Sequence, residues 1–212
     1  MASSGNASSA RGAAAAWRDP LERDLPWLRA PLADALTHQR GHALLVQGAP
    51  GIGQFDLGLR VAQAWLCEGP AAEREAGVLA CGRCAACHMW NSRTHPDALL
   101  LLPAARIDTL GWQREAEEGG EGGAAAGEGK ASKARPSAEI KVDAVRQAVA
   151  FAQQTSARGR AKVVVIDPAE QMNTVSANTL LKTLEEPPGA ARFILCSGAP
   201  EGLLPTIRSR CQ

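Results

Sequence analysis

Apolar residues in this chain fall into two kinds of pattern, short continuous runs and stretches with helical spacing. The continuous runs, typical of strands covered on both faces, lie at residues 43–46, 98–102, 163–166 and 193–196. The strand predicted around the third run spans residues 162–166 and begins with Lys162. Helical spacing marks residues 27–36, 55–66, 142–154 and 175–185, and a last short helix is predicted before residue 209. Strands that alternate with helices predict an α/β fold, a parallel sheet with helices on both faces.

Two segments have almost no apolar residues to bury. Residues 1–24, which begin with a stretch rich in Ser, Ala and Gly, are predicted to be a disordered tail. Residues 113–138 consist largely of Gly, Ala, Glu, Lys and Ser, and they are predicted to be a flexible surface insertion. One ordered domain is therefore expected over residues 25–212.

Composition and charge exclude several classes of protein. The 212 residues carry a formal net charge of +1, so any contact with nucleic acid must depend on local charge rather than on an overall field. No apolar run reaches the length of about 18 residues that a membrane-spanning helix needs. The first residues do not resemble a signal peptide, which predicts a cytoplasmic protein. In that compartment the six cysteines are not expected to form a disulfide framework.

The segment after the first predicted strand resembles a phosphate-binding loop without its chemistry. A working loop has the pattern G-x-x-x-x-G-K-[ST], in which the lysine reaches the phosphates and the hydroxyl binds Mg²⁺. Here Gly48, Gly51 and Gly53 keep the glycine-rich loop, but Gln54 replaces the lysine and Phe55 replaces the hydroxyl. An ordinary glycine-rich turn is the alternative. Either way, the loop predicts that this chain binds no ATP.

A second catalytic position also departs from nucleotide hydrolases. Asp167 follows the run 162–166, where these enzymes place an aspartate that binds the metal ion. The next residue, where a glutamate would polarise the attacking water, is Pro168. Glu170 lies two residues further on and is predicted to be a solvated charge at the start of a helix. Two independent losses favour a scaffold that has given up ATP hydrolysis.

The cysteine spacing predicts a structural zinc site. Close C-x-x-C spacing lets one tight turn present two thiolates to a tetrahedral Zn²⁺ ion. Cys67 is preferred as fourth ligand to His88, because His88 directly follows another ligand. Unliganded thiols or a redox pair are the alternatives, and Cys196, in an apolar run, is expected to pack as a small hydrophobe. The predicted module spans residues 67–95, with ligands Cys67, Cys81, Cys84 and Cys87.

Two segments near the end of the chain resemble the clamp-loader branch of the AAA+ ATPases. They are Leu-Leu-Lys-Thr-Leu-Glu-Glu-Pro-Pro at 180–188 and Ser-Arg-Cys at 209–211. The resemblance implies an AAA+ domain of the P-loop NTPase type and places the same four cysteines at the family's zinc positions. It covers about residues 25–212. The family's helical lid and collar domains are not in this sequence, which is therefore expected to be a fragment or an isolated domain.

The same resemblance implies that Arg210 is an arginine finger. A guanidinium stabilises the charge that develops on a transferred phosphate, and a neighbouring subunit often supplies it. A chain without its own lysine and hydroxyl can still donate such an arginine in trans. Arg208 stands in the same region, and an ordinary surface arginine or salt bridge is the alternative reading of either residue.

The family implies a role in DNA replication for this chain. It would be an ATP-inert subunit of the bacterial DNA polymerase III clamp loader, with γ/τ and δ subunits, the sliding clamp and primed DNA as partners. No catalysis is expected from the chain alone, although the holoenzyme is a DNA-directed DNA polymerase, a nucleotidyltransferase. A weakly active ATPase of the γ/τ type is the alternative. A zinc-dependent nucleic-acid module is a third reading, but only Arg83 and Arg93 lie close to the cysteines.

Overall fold

A parallel sheet forms the centre of the computed structural model, which describes residues 25–73, 79–110 and 137–212. Its four strands lie in the order β1-β4-β3-β2, and every neighbouring pair is parallel. The strands are β1 (Ala43–Gln47), β2 (Ala98–Leu101), β3 (Lys162–Ile166) and β4 (Ala191–Ser197). The predicted α/β fold class is confirmed.

Helices cover both faces of the sheet. Within the described residues they are α1 (Arg29–His38), α2 (Gln54–Leu66), α3 (Ala85–Asn91), α4 (Ala104–Leu110), α5 (Val142–Gln153), α6 (Thr174–Glu185) and α7 (Pro205–Arg208). Short 3-10 turns lie at Pro26–Leu28, Ala71–Glu73, Ala169–Gln171 and Pro200–Gly202. Asn173 begins α6, since its side chain accepts a hydrogen bond from Ser176 N at 2.9 Å.

Alternate residues of the two central strands enter separate apolar cores. Val164 and Ile166 of β3 pack in the core formed with α5, α6 and α7. Val163 and Val165 pack in the other core, with α1, α2 and α3. Since all five residues of β3 are buried, the continuous apolar run follows directly from cover on both faces.

Helix α2 crosses unusually close to the sheet. A Cβ atom on Gly58 would lie 2.5 Å from Cys196 Sγ and 3.1 Å from Ile194 Cγ2. The absence of a side chain at residue 58 therefore sets the depth at which α2 packs on β4. Cys196 is fully buried at this contact.

Several predicted boundaries differ from the observed ones. The first helical segment begins as a 3-10 turn at Pro26–Leu28, and β4 begins at Ala191 rather than at residue 193. Helices α3 and α4 were not predicted, because seven residues are too few for a clear apolar period. The predicted tail, residues 1–24, and most of the predicted insertion, residues 113–136, lie outside the described residues. Ser137, which was assigned to the insertion, accepts a hydrogen bond from Ala105 N at 3.2 Å.

Across the described ranges, none of the helices has both the length and the apolar character needed to cross a membrane.

Candidate functional site

The glycine-rich loop lies at the carboxyl edge of the sheet, between β1 and α2. Gly48 N donates to Ser197 O at 3.2 Å, which ties the start of the loop to the end of β4. Gly53 has φ +105 and precedes the first residue of α2, so the turn requires a left-handed conformation there. The loop keeps the shape of a strand-to-helix turn while lacking the lysine.

The side chain of Phe55 packs in the apolar core and is not available to bind a ligand. Its side chain is buried among the residues that α2 packs on the sheet. The Arg106 guanidinium lies over the ring, 5.0 Å from its centroid. A phenyl ring offers no metal ligand, and its position here is fixed by packing and by this cation–π contact.

Asp167 is paired with a cation from its own chain. Its side chain is 3% exposed, and Oδ2 lies 2.6 Å from Arg106 Nη1. Burial raises the pKa of Asp167 to about 7, against the lowering effect of Arg106 and together with repulsion from Glu170 and Asp56. In nucleotide hydrolases an aspartate here meets Mg²⁺, whereas here it meets a guanidinium.

Glu170 is not the solvated charge that was predicted. The 3-10 turn Ala169–Gln171 directs its half-buried side chain toward the end of β4. Oε1 accepts a hydrogen bond from Gly198 N at 3.0 Å, and Oε2 is buried without a hydrogen-bond partner among the described residues. The prediction was wrong because the sequence gives no sign of the contact with residue 198.

The four predicted zinc ligands lie together. All four sulfur atoms, of Cys67, Cys81, Cys84 and Cys87, lie within 4.8 Å of one another. Four thiolates around Zn²⁺ at about 2.3 Å each would be about 3.8 Å apart, and Cys67 Sγ and Cys84 Sγ are 3.9 Å apart. His88 is exposed and is not in the cluster. The donor set is therefore one that could hold a metal ion.

Local backbone structure brings these cysteines together. Cys67 directly follows α2, and Cys84 begins α3, where its sulfur accepts from Cys87 N at 3.5 Å. A Cβ atom on Gly69 would lie 2.6 Å from Cys81 Sγ, so only glycine lets that thiol approach. Four thiols leave no open position for a substrate, which is typical of a structural site.

A buried carboxylate joins the cysteine module to the sheet, and sequence reasoning gave it no role. Asp97 precedes β2, and it accepts hydrogen bonds from Ser156 Oγ, Ala157 N and Arg158 N at 2.8–2.9 Å. Lys162 Nζ lies 3.1 Å from its Oδ1. Arg158 in turn donates from Nη2 to Glu68 Oε2 at 2.8 Å. Since Glu68 follows Cys67, this chain of contacts links the module to the start of β3.

Arg210 lies away from the glycine-rich loop. Gln212 pairs with the amino-terminal half of β1, through Gln212 N to Ala43 O at 3.0 Å and Leu45 N to Gln212 O at 2.9 Å. The loop follows the opposite end of β1. Arg210 is half-buried beside this edge strand, where its guanidinium forms an ion pair with Glu185. Arg208, the other candidate, is exposed.

The structure thus brings the predicted residues into three groups. Loop 48–55, Asp167 and Glu170 meet at the carboxyl edge, the cysteines form their own cluster, and Arg210 lies at the β1 edge. Sequence reasoning missed Arg106 and Glu185, since each acts through a contact between distant segments.

Comparison with known proteins gives consistent relatives. The family model described as DNA polymerase III, delta subunit, matches residues 31–212. The chain is 41% identical to the DNA polymerase III subunit delta' of Pseudomonas aeruginosa over 173 residues, which cover 82% of this chain and 42% of that protein. It is 34% identical to the Escherichia coli subunit delta' over 191 residues, 88% of this chain and 47% of that protein.

Similarity to another subunit is more local. The chain is 45% identical to the DNA polymerase III subunit tau of Escherichia coli over 71 residues, 34% of this chain and 11% of that protein. The chain spans less than half the length of the delta' relatives it matches.

The buried Asp167 predicts a pH-dependent stability difference. Between its ordinary pKa near 3.8 and its folded pKa of about 7, the unfolded state loses the proton first, so folding stability falls as pH rises through this window. Asp167→Asn removes the titration. Thermal unfolding should show that the melting temperature of Asp167→Asn rises relative to that of wild type as the pH increases from about 5.5 to 8. We expect this relative rise to be about 3 °C or more.

The matched control is Asp143→Asn, because Asp143 carries the same carboxylate with its side chain 77% exposed. Its melting temperature should follow that of wild type across the pH range. If the melting temperatures of Asp167→Asn and wild type changed with pH in parallel, the prediction would be contradicted, because ionising Asp167 would then not lower the stability of the folded state.

Proposed function

The chain belongs to the DNA polymerase III delta-subunit family, and from this premise we propose that it is the ATP-inert delta' component of the clamp loader. In this role it helps to load the sliding clamp on primed DNA, in the cytoplasm, without hydrolysing ATP itself. Its partners are γ/τ and δ subunits in a hetero-pentamer. Assembly uses the lid and collar domains that the family carries, so the proposal concerns the full-length protein.

The observation that carries the proposal is the combined state of the nucleotide site. Gln54 cannot supply the charge that a triphosphate needs, and Phe55 cannot ligate a metal ion. Asp167 is paired with Arg106 at 2.6 Å. The carboxyl group that would meet Mg²⁺ is thus already in contact with the protein's own guanidinium. The groups that usually bind the phosphates, ligate the metal ion through a hydroxyl and activate the attacking water are each absent.

The proposed contribution to the complex is Arg210, donated to the ATP site of a neighbouring γ/τ subunit. Arg210 lies next to Gln212, which pairs with the amino-terminal half of β1, whereas the glycine-rich loop follows the opposite end of that strand. Arg210 therefore lies away from the nucleotide loop of its own chain, which supports action in trans. The side chain is 33% exposed, which leaves part of the guanidinium accessible to a partner.

A weakly active γ/τ-type ATPase is the second candidate. The 45% identity to subunit tau favours it, but that similarity covers only 34% of this chain. The delta' relatives match over 82–88% of the chain. The delta' role is therefore preferred.

The cysteine cluster is proposed to hold one structural Zn²⁺ ion. Thiolate donors and tetrahedral spacing suit zinc, and four thiols fill the four positions of a tetrahedral ion, as in a structural site. The ion would connect the end of α2 to the start of α3 through Cys67 and Cys84.

Purified protein should contain one zinc per chain, as measured by elemental analysis without added metal. Cys84→Ser should release the ion and lower the melting temperature, because a structural site adds its binding energy to folding. Cys211→Ala is the control, since Cys211 lies outside the cluster, and it should keep the zinc. A zinc content near zero, with the four thiols of the cluster titrating freely, would contradict the assignment.

Arg210→Ala in the full-length protein should leave folding and complex assembly intact while slowing clamp loading. Loss of an arginine finger costs roughly 10³–10⁵ in rate at the ATP site it serves. Other ATP sites in the complex remain, so total ATP hydrolysis should fall by a smaller factor. Reconstituted complexes would be assayed for clamp loading and for ATPase activity stimulated by clamp and primed DNA.

Arg208→Ala and Arg210→Lys complete this test. Lysine should rescue poorly, because a point charge lacks the planar fork that matches phosphate oxygens. If Arg208→Ala caused the loss instead, Arg208 would be the finger. Normal loading by the Arg210→Ala complex would make Arg210 a structural residue.

A further inference from the structure

Glu185 contacts the guanidinium that is proposed to reach the neighbouring ATP site. It is the last residue of α6, and its Oε1 accepts from Arg210 Nη2. The other terminal nitrogen, Nη1, donates to Thr206 O at 2.8 Å and lies 3.4 Å from Ser209 Oγ. The guanidinium is therefore held from two sides, by α6 and by α7.

These contacts leave a defined part of the guanidinium for a ligand. An arginine has five N–H donors in a fixed planar fork. The described contacts use both Nη1 donors and one Nη2 donor. The Nε donor and the second Nη2 donor have no partner among the described residues. A phosphate group can accept from two such donors at once.

The anchors of this arrangement are themselves fixed to the sheet. His42 Nε2 lies 2.6 Å from Leu184 O, which ties the end of α6 to the start of β1. Gln212 pairs with β1 on the far side of Arg210. The end of α6 that carries Glu185 and the backbone next to Arg210 are thus both held by contacts at the start of β1.

The ion pair between Arg210 and Glu185 is expected to contribute little to the folding stability of the domain. The Arg210 and Glu185 side chains are 33% and 47% exposed, and pairs of this kind contribute little in water. A carboxylate at the end of a helix is also unfavourable with respect to the helix dipole. The contact is better explained by what it does to the direction of the guanidinium.

We propose that Glu185 is a positioning residue, which orients Arg210 so that its remaining donors face the phosphate of a neighbouring subunit's nucleotide. This inference rests on the proposed function, because it assigns a partner to the same arginine. Without Glu185 the long side chain would sample many rotamers, and the finger would less often be in place when charge develops on the phosphate.

The test compares Glu185→Ala with Glu186→Ala in reconstituted complexes of the full-length protein. Glu186 is exposed and has no contact with Arg210, so it is a matched control for loss of a carboxylate. In complexes whose other ATP sites are inactivated, so that hydrolysis reports on the served site alone, kcat should be about 10-fold lower for Glu185→Ala. The KM for ATP should change by less than about 2-fold, because the lost interaction acts in the transition state.

Rescue and background variants separate positioning from a general structural effect. Glu185→Gln keeps an acceptor oxygen and should give an intermediate kcat. In the Arg210→Ala background, Glu185→Ala should cause no further loss. Equal rates for Glu185→Ala and Glu186→Ala, a faster rate for Glu185→Ala, or a full loss in the Arg210→Ala background would each overturn the inference.

The outcomes also distinguish this inference from the proposal beneath it. If Arg210→Ala lowers the rate but Glu185→Ala does not, the finger stands and the positioning role is wrong. If Arg210→Ala has no effect, the proposed arginine-finger role is wrong and the positioning role falls with it, whereas the proposed ATP-inert role is tested separately by nucleotide binding.

Discussion

Asp167 ends the central strand β3 in a place that is almost closed to water, and Arg106 is the cation that meets it. A carboxylate with 3% exposure is costly to ionise, and its pKa of about 7 reflects that cost. The parallel sheet imposes this position, since the carboxyl end of a strand covered on both faces lies between the two layers of helices. Arg106 reaches it from α4, and the same guanidinium lies over Phe55. One cation therefore contacts both Phe55, which replaces the hydroxyl of a working phosphate loop, and Asp167, the aspartate that in a nucleotide hydrolase would meet the metal ion.

The opposite edge of the sheet is organised by another carboxylate. Asp97 accepts hydrogen bonds from the loop before β3 and pairs with Lys162, while Arg158 extends the network to Glu68 beside the cysteine cluster. Burial raises the pKa of Asp97, but these hydrogen bonds lower it overall. The cysteine module is thus attached to the central sheet of the domain rather than to a loop. The glycine-rich loop and Arg210 are also attached to the sheet. The loop directly follows β1, and Gln212, two residues after Arg210, pairs with the other end of that strand.

Much of the architecture could be predicted from the sequence, because strands covered on both faces have continuous apolar runs. Residues 162–166 are the clearest case. The cysteine cluster could be predicted as well, since ligand spacing is local along the chain. Arg106 and Glu185 could not, because their roles depend on contacts between segments far apart in sequence. Glu170 was assigned wrongly for the same reason: its partner, Gly198 N, belongs to another strand's end.

The claim that this chain serves as an ATP-inert subunit is tested most directly by nucleotide binding. Calorimetric titration of the purified protein with Mg²⁺-ATP should give no heat of binding at micromolar to millimolar nucleotide. Gln54→Lys alone should not restore binding or hydrolysis, since Phe55 still offers no hydroxyl and Arg106 still pairs with Asp167. A micromolar Kd for the unmodified protein would contradict the account and favour the ATPase alternative.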